Sequence, residues 1–138
     1  MLARLLPQCP APVQSFGLEP EAHWQAAQVE TAAQGQHFTL CRQGEYLGRF
    51  FLPLSGVYNV RNALAALGVG LTVGLSVPQL QAGLRSFRGV RRRQELLGVA
   101  GGITLIDDFA HHPTAVAQTL RGLRQAHTSG ALWAVFEP

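Results

Sequence analysis

The sequence predicts an α/β fold, and three observations carry that expectation. Residues 38–42 and 46–52 are short runs of strand-forming residues on either side of the turn Gln43-Gly44-Glu45. Val60, Ala63, Leu64, Leu67 and Leu71 recur at helical spacing within residues 57–75. The apolar run 103–106, led in by Gly101-Gly102, reads as a buried strand, and Pro113 suits the first turn of a helix that follows it. Asp107 to His112 then form a strand-to-helix connection, which is where α/β folds put ligand chemistry. Two acids, an aromatic and two histidines crowd that connection, so a nucleotide or phosphate site is the first expectation.

At 138 residues the chain can hold one domain or parts of two. With 47% hydrophobic residues its composition is that of an ordinary globular protein. The net charge is +3, and all eleven basic residues are arginine. No lysine-dependent step, such as a phosphate-loop lysine on a nucleotide, can therefore be performed by this chain alone. Arg85, Arg88, Arg91, Arg92 and Arg93 fall close together, a cluster that can hold phosphate bidentately or form a solvated basic turn. It is short and lacks interleaved aromatics, which disfavours a nucleic-acid partner. Cys9 and Cys41 have no metal-ligand spacing and read as reduced, buried thiols of a cytosolic protein. No run approaches the ~18 apolar residues of a membrane span, and Pro7 interrupts a stretch too short for a signal peptide.

Taken in order, residues 2–6 suggest the end of a helix, and residues 13–16 a short strand. Residues 23–31 alternate loosely around Trp24, Ala26 and Val29, which with the two runs above predicts an antiparallel meander of about three strands. His23 and His37 read as surface or strand-end residues. Pro53 to Gly56 breaks the meander. The following helix carries Asn59 and Asn62 three apart on one face, and paired amides can meet an adenine edge; Asn59 alone would serve as a cap. Ser76-Val77-Pro78-Gln79 is a helix start with cap, proline and capping-box residue in place. That helix is expected over 78–87, with Leu80, Leu84 and Phe87 facing a core. Two strands, 95–100 and 103–106, surround the Ala100-Gly101-Gly102 turn. A helix over 114–125 turns Val116, Leu120 and Leu123 inward. Residues 132–136 predict a strand that ends the chain with nothing to cover it, as in a truncated protein.

Three segments, in order and spacing, resemble the Mur ligases, the ATP-dependent amide ligases of peptidoglycan metabolism. They are Asn59-Val60-Arg61-Asn62-Ala63-Leu64-Ala65-Ala66, Arg92-Arg93-Gln94-Glu95, and Asp107-Asp108-Phe109-Ala110-His111-His112-Pro113-Thr114. Phe109-Ala110 before the histidines and Gln94-Glu95 after the arginines are more similar to the peptidoglycan-recycling branch. That branch joins L-alanyl-γ-D-glutamyl-meso-diaminopimelate to UDP-N-acetylmuramate. The alternatives are the branch that adds L-alanine to the same nucleotide sugar, or a non-catalytic nucleotide-binding fragment.

The resemblance implies that residues 1–89 are the latter part of a central ATP-binding domain, with antiparallel strands and helices. Residues 90–138 would be the first half of a Rossmann-like C-terminal domain. The remaining domains of the enzyme, including its phosphate loop and its Mg²⁺ ligands, would lie outside the chain, which alone is expected to be inactive. ATP and Mg²⁺ would be the cofactors, UDP-N-acetylmuramate and a murein tripeptide the partners, and the cytoplasm the location. By motif match Asn59 and Asn62 would contact the adenine, Arg92 and Arg93 the nucleotide, and Asp108 the ribose hydroxyls. His111 and His112 would lie near the phosphates or orient the loop, and neither is assigned as a catalytic base. Adjacent histidines point apart and no third ligand cluster is near, so no metal site is expected on the chain itself. The family commonly has His where this chain has Tyr58.

Overall fold

A computed structural model describes residues 6–136. Residues 2–5 of the first expected helix lie outside the described residues, and Leu6–Gln8 forms one 3-10 turn. The meander follows as β2 Trp24–Ala32, β3 Gly35–Arg42 and β4 Glu45–Leu52, after a two-residue β1, Phe16–Gly17, that pairs parallel with the start of β2. The sheet order is β1-β2-β3-β4, with β2, β3 and β4 antiparallel. Gln43 and Gly44 both adopt positive φ, 50° and 83°. That is the pairing of a tight hairpin whose twist matches its strands. Gly35 opens β3 where the chain passes close to β4: a Cβ there would lie against the Leu52 carbonyl, so only glycine fits.

One face of this sheet makes the core. Alternate residues Trp24 and Ala26, Phe38 and Leu40, Phe50 and Leu52 are buried together, as the two-residue period of strands requires. Phe38 and Phe50 stack with ring centroids 5.7 Å apart. Helix α1, Val57–Thr72, lays Val60, Ala63, Leu64 and Leu67 on that face. Trp24 reaches the helix at Gly68 while its indole N–H donates to Gln14 Oε1 at 2.8 Å.

Helix α2, Val77–Arg85, begins as its sequence predicts, with Pro78 in the first turn and Gln79 Oε1 accepting from the Ser76 N–H at 2.9 Å. Leu80 and Leu84 pack against the core, but Phe87 lies beyond the helix end and is 39% exposed, so its expected core position is corrected. The helix stops at Arg85, and its periodicity no longer governs where Phe87 points.

β5 Glu95–Ala100 and β6 Ile103–Asp107 form a two-stranded antiparallel ribbon, followed by helix α3, Pro113–Ala126. The expectation of a buried strand at 103–106 is overturned: Ile103 and Leu105 are 66% and 53% exposed. The ribbon's Ile103 and Leu105 face has no second layer over it among the described residues. Residues 132–136 likewise form no strand, because no neighbouring strand among the described residues offers hydrogen-bond partners, and Trp133 and Val135 stand exposed. On α3 the buried positions are Thr119 and Gly122, while Val116, Leu120 and Leu123 are half-buried. Cys9 and Cys41 are both free thiols, but the expectation that they are buried is corrected: Cys9 is exposed on the segment before β1, and Cys41, near the end of β3, is half-buried. Among the described residues no helix is long and apolar enough to cross a membrane.

Candidate functional site

The start of α1, the length of α2 and the N-terminal half of α3 converge on a cleft of about 630 Å³, within the range of small-ligand sites. Its walls are mainly apolar, with Leu67, Leu80 and Leu84 among them. Asn59, Asn62 and Arg93 all line it, so residues 31 or more positions apart in sequence meet around one space. Asn59 Nδ2 donates to the Ser55 carbonyl at 2.6 Å, and its side chain also bonds the Tyr58 hydroxyl, which leaves its carbonyl oxygen to accept. Asn62 is exposed on the same helical face, with no hydrogen bond to its amide among the described residues.

Arg92 and Asp108 lie elsewhere. Both border a second cleft of about 450 Å³ between the ribbon, α3 and residues 132–136, together with His111. Thr119 is common to both clefts. The separation follows from the backbone: Arg92 and Gln94 take positive φ, 58° and 50°, so the chain turns sharply and sends neighbouring arginines to different sides. Arg92 Nε is 3.4 Å from Asp107 Oδ2, and its guanidinium lies over the Phe109 ring.

Asp108 is heavily committed within its own loop. Oδ2 accepts from the Gln94 N–H at 2.9 Å; Oδ1 accepts from the Ala110 N–H at 2.8 Å and faces the Thr119 hydroxyl at 3.4 Å. Each carboxylate oxygen still has lone-pair capacity beyond these bonds. His112 caps α3, its Nδ1 accepting from the Thr114 N–H at 3.3 Å, and His111 Nδ1 sits 3.0 Å from the Phe109 carbonyl. Neither histidine borders the first cleft. Among the described residues no group of three or more His, Cys, Asp or Glu could hold a metal ion.

Two residues that carried no assigned site role join the two clefts. The Gln94 side-chain amide donates to the Tyr58 hydroxyl at 2.7 Å, across 36 positions of sequence. The Tyr58 phenol is pushed above 10.0 by burial and by the Asp108 charge, while Thr119, Asn59 and Arg93 oppose the rise. Gln94 stands inside the Arg92-Arg93-Gln94-Glu95 motif, but a motif match says nothing of which neighbour turns inward. Thr119 had a readable signal: Ala115, Thr119 and Gly122 fall at helical spacing as a stripe of small residues on one face.

Comparison with known proteins places this arrangement. Residues 1–70 match the Mur ligase middle domain, and residues 92–138 match the Mur ligase glutamate ligase domain. The chain is 41% identical over 135 residues to the UDP-N-acetylmuramate–L-alanine ligase of Oleidesulfovibrio alaskensis, covering 98% of this chain and 30% of that protein. The fold is similar to that of the UDP-N-acetylmuramate–alanine ligase of Thermotoga maritima, with TM-score 0.77 and 24% identity over 84% of this chain and 27% of that one. A murein peptide ligase from Psychrobacter arcticus is 36% identical with TM-score 0.52, over 80% of this chain and 23% of that one. The chain thus spans under a third of the length of these relatives. It belongs to the Mur ligase family, of which it carries middle-domain and C-terminal-domain sequence.

Proposed function

We propose that the chain supplies the adenine-nucleotide cleft of an ATP-dependent amide ligase that joins L-alanine to UDP-N-acetylmuramate. The observation that carries this reading is the meeting of Asn59, Asn62 and Arg93 around one apolar cleft. An adenine ring suits such walls, and an asparagine amide can donate to and accept from its edge at once. Arg93 at the rim supplies a permanent cation for the sugar-phosphate side. The 41% identity to an L-alanine-adding relative over nearly the whole chain favours that amine as the substrate.

In such a ligase the carboxylate of UDP-N-acetylmuramate must be activated before an amine can attack it, since the two do not condense in neutral water. Transfer of the terminal phosphoryl of ATP to that carboxylate gives an acyl phosphate and ADP. The amine nitrogen then attacks the acyl carbon, the carbon–oxygen bond to phosphate breaks, and the nitrogen loses its proton. Phosphoryl transfer depends chiefly on positioning and neutralised charge. Here Asn59, Asn62 and Arg93 would hold the nucleotide, and the Asp108 loop would border it. Asp108 retains lone pairs for a ribose hydroxyl, although its first commitment is to the Gln94 and Ala110 N–H groups. Mg²⁺ would neutralise phosphate charge when bound. The described residues do not fit a set of ligands for it, since Asp107 pairs with Arg92 and Asp108 with amides. Its ligands belong to the parts of the ligase outside this chain. We assign residues 1–89 to the central domain, residues 90–138 to the C-terminal one, and the protein to the cytoplasm.

A second reading is that the amine is a murein tripeptide. Phe109-Ala110 and Gln94-Glu95, with the 36% identity to a murein peptide ligase, favour it. Phosphate release by the protein expressed from its own coding region, supplied with ATP and UDP-N-acetylmuramate, decides between them. Release dependent on L-alanine is the expected result. Release dependent on tripeptide alone would establish the second reading, and release with neither would end both.

A further inference from the structure

We propose that Gln94 is a positioning residue that ties the Asp108 loop to the start of α1, through hydrogen bonds made by the two ends of one residue. Its side-chain Nε2 donates to the Tyr58 hydroxyl at 2.7 Å, and its backbone N–H donates to Asp108 Oδ2 at 2.9 Å. Gln94 adopts φ 50°, a left-handed conformation that a residue with a side chain holds only when its surroundings over-determine it. The two bonds are what over-determine it. With the side chain anchored on Tyr58, the backbone N–H is aimed at Asp108, and the preceding Arg93 is set at the rim of the nucleotide cleft.

The other contacts at this junction are built around the same bond. The Tyr58 ring lies over Gly56, where a Cβ would come within 2.7 Å of the ring. Gly122 of α3 approaches from the other side: a Cβ there would be 3.3 Å from both Gln94 Nε2 and Gly56 Cα. Two glycines therefore let α3 and the start of α1 close around the Gln94–Tyr58 bond, which ties the turn before β5 to α1. Asp108 completes the chain of contacts by accepting from Ala110 N–H and facing Thr119 of α3. Tyr58, Gln94, Asp108 and Thr119 form one connected polar network around a junction that is otherwise close-packed backbone.

The role of Gln94 in arranging a nucleotide site rests on the function proposed above, but the coupling itself does not. Hydrogen exchange at the Gln94 and Ala110 amides reads it directly, with the Phe38 and Leu40 amides of β3 as the control for intact folding. Tyr58→Phe keeps the ring over Gly56 and removes only the hydroxyl. It should speed exchange at both amides roughly 3- to 10-fold, the factor carried by one hydrogen bond of ordinary net strength. Gln94→Ala should do the same, and the double variant should add little to either single one. Gln94→Glu, whose carboxylate can accept from the phenol, should restore most of the protection. Unchanged exchange in Tyr58→Phe, or effects that multiply in the double variant, would overturn the proposal. ADP titrated into the same proteins separates the two claims: a wild-type protein that binds no ADP refutes the nucleotide reading, while the exchange data still decide the coupling.

Discussion

The guanidinium of Arg92 lies 5.0 Å above the ring of Phe109, and the Phe109 N–H donates to the Arg92 carbonyl at 2.7 Å. Side chain and backbone of the same arginine thus grip the loop that carries Asp108. Arg92 is engaged in holding structure, whereas Arg93 faces the open cleft.

The two arginines should therefore separate on substitution. Arg92→Ala should lower stability by roughly 0.5–1 kcal/mol, the scale of an exposed cation–aromatic contact, since its partly exposed ion pair with Asp107 adds little. Its effect on ADP affinity should be small. Arg93→Ala should weaken ADP binding about tenfold or more, the loss of one charge-assisted hydrogen bond, with little change in stability. Denaturation and ADP titration of both variants check this, and the reverse pattern would contradict it.

Asp108→Asn should cost about 1–2 kcal/mol of stability. Whichever way the new amide turns, its NH2 confronts either the Gln94 or the Ala110 N–H, and one donor loses its acceptor. Turnover should fall as well, because the loop relaxes away from the nucleotide side. Urea midpoints with an unchanged slope would give the stability term; an unchanged midpoint would mean that the loop does not depend on this carboxylate.

Stability should fall at alkaline pH through Tyr58. Burial, and then the Asp108 charge, raise this phenol above its usual 10.0. The folded state therefore binds the proton more tightly than the unfolded state does. The contribution is fully present below pH 10 and is lost as pH rises through the folded value. Tyr58→Phe should remove that part of the alkaline loss. An identical pH profile for the two proteins above pH 10 would contradict the assignment.

Packing at Gly68 sets the approach of α1 to the sheet. A Cβ there would lie 2.9 Å from the indole nitrogen of the buried Trp24. Gly68→Ala gains roughly 1 kcal/mol in helix propensity, but displacing a packed ring costs about 1–3 kcal/mol. A net loss is expected in thermal denaturation. A more stable variant would show that Trp24 can shift at no cost.

Much of this architecture could be read from the chain. The β3–β4 hairpin follows from alternating apolar residues around Gln43-Gly44, and α1 from the stripe of Val60, Ala63, Leu64 and Leu67. β2 was harder, because Gln28 takes positive φ and its register shifts between Ala27 and Glu30, which breaks the alternation. Ile103 and Leu105 looked buried because apolarity reports a tendency to be covered, not the presence of a cover. At the site, the resemblance named Asn59, Asn62 and Arg93 as nucleotide contacts, and the fold brings the three to one cleft. It could not anticipate that Arg92 would turn to Phe109, since that depends on the left-handed turn of residues 92–94. Nor could it single out Gln94, whose role exists only once Tyr58 is brought beside it by the fold.

Equilibrium binding of ADP to the wild-type protein and to Asn62→Ala tests the nucleotide cleft most directly, with GDP as the comparison. Asn62 is exposed and has no structural bond to lose among the described residues, so its removal should leave stability unchanged. The account predicts that ADP binds in preference to GDP and that Asn62→Ala weakens ADP by about 5- to 10-fold, the worth of a neutral hydrogen bond. Equal binding of ADP and GDP, or an Asn62→Ala variant with undiminished ADP affinity, would contradict it.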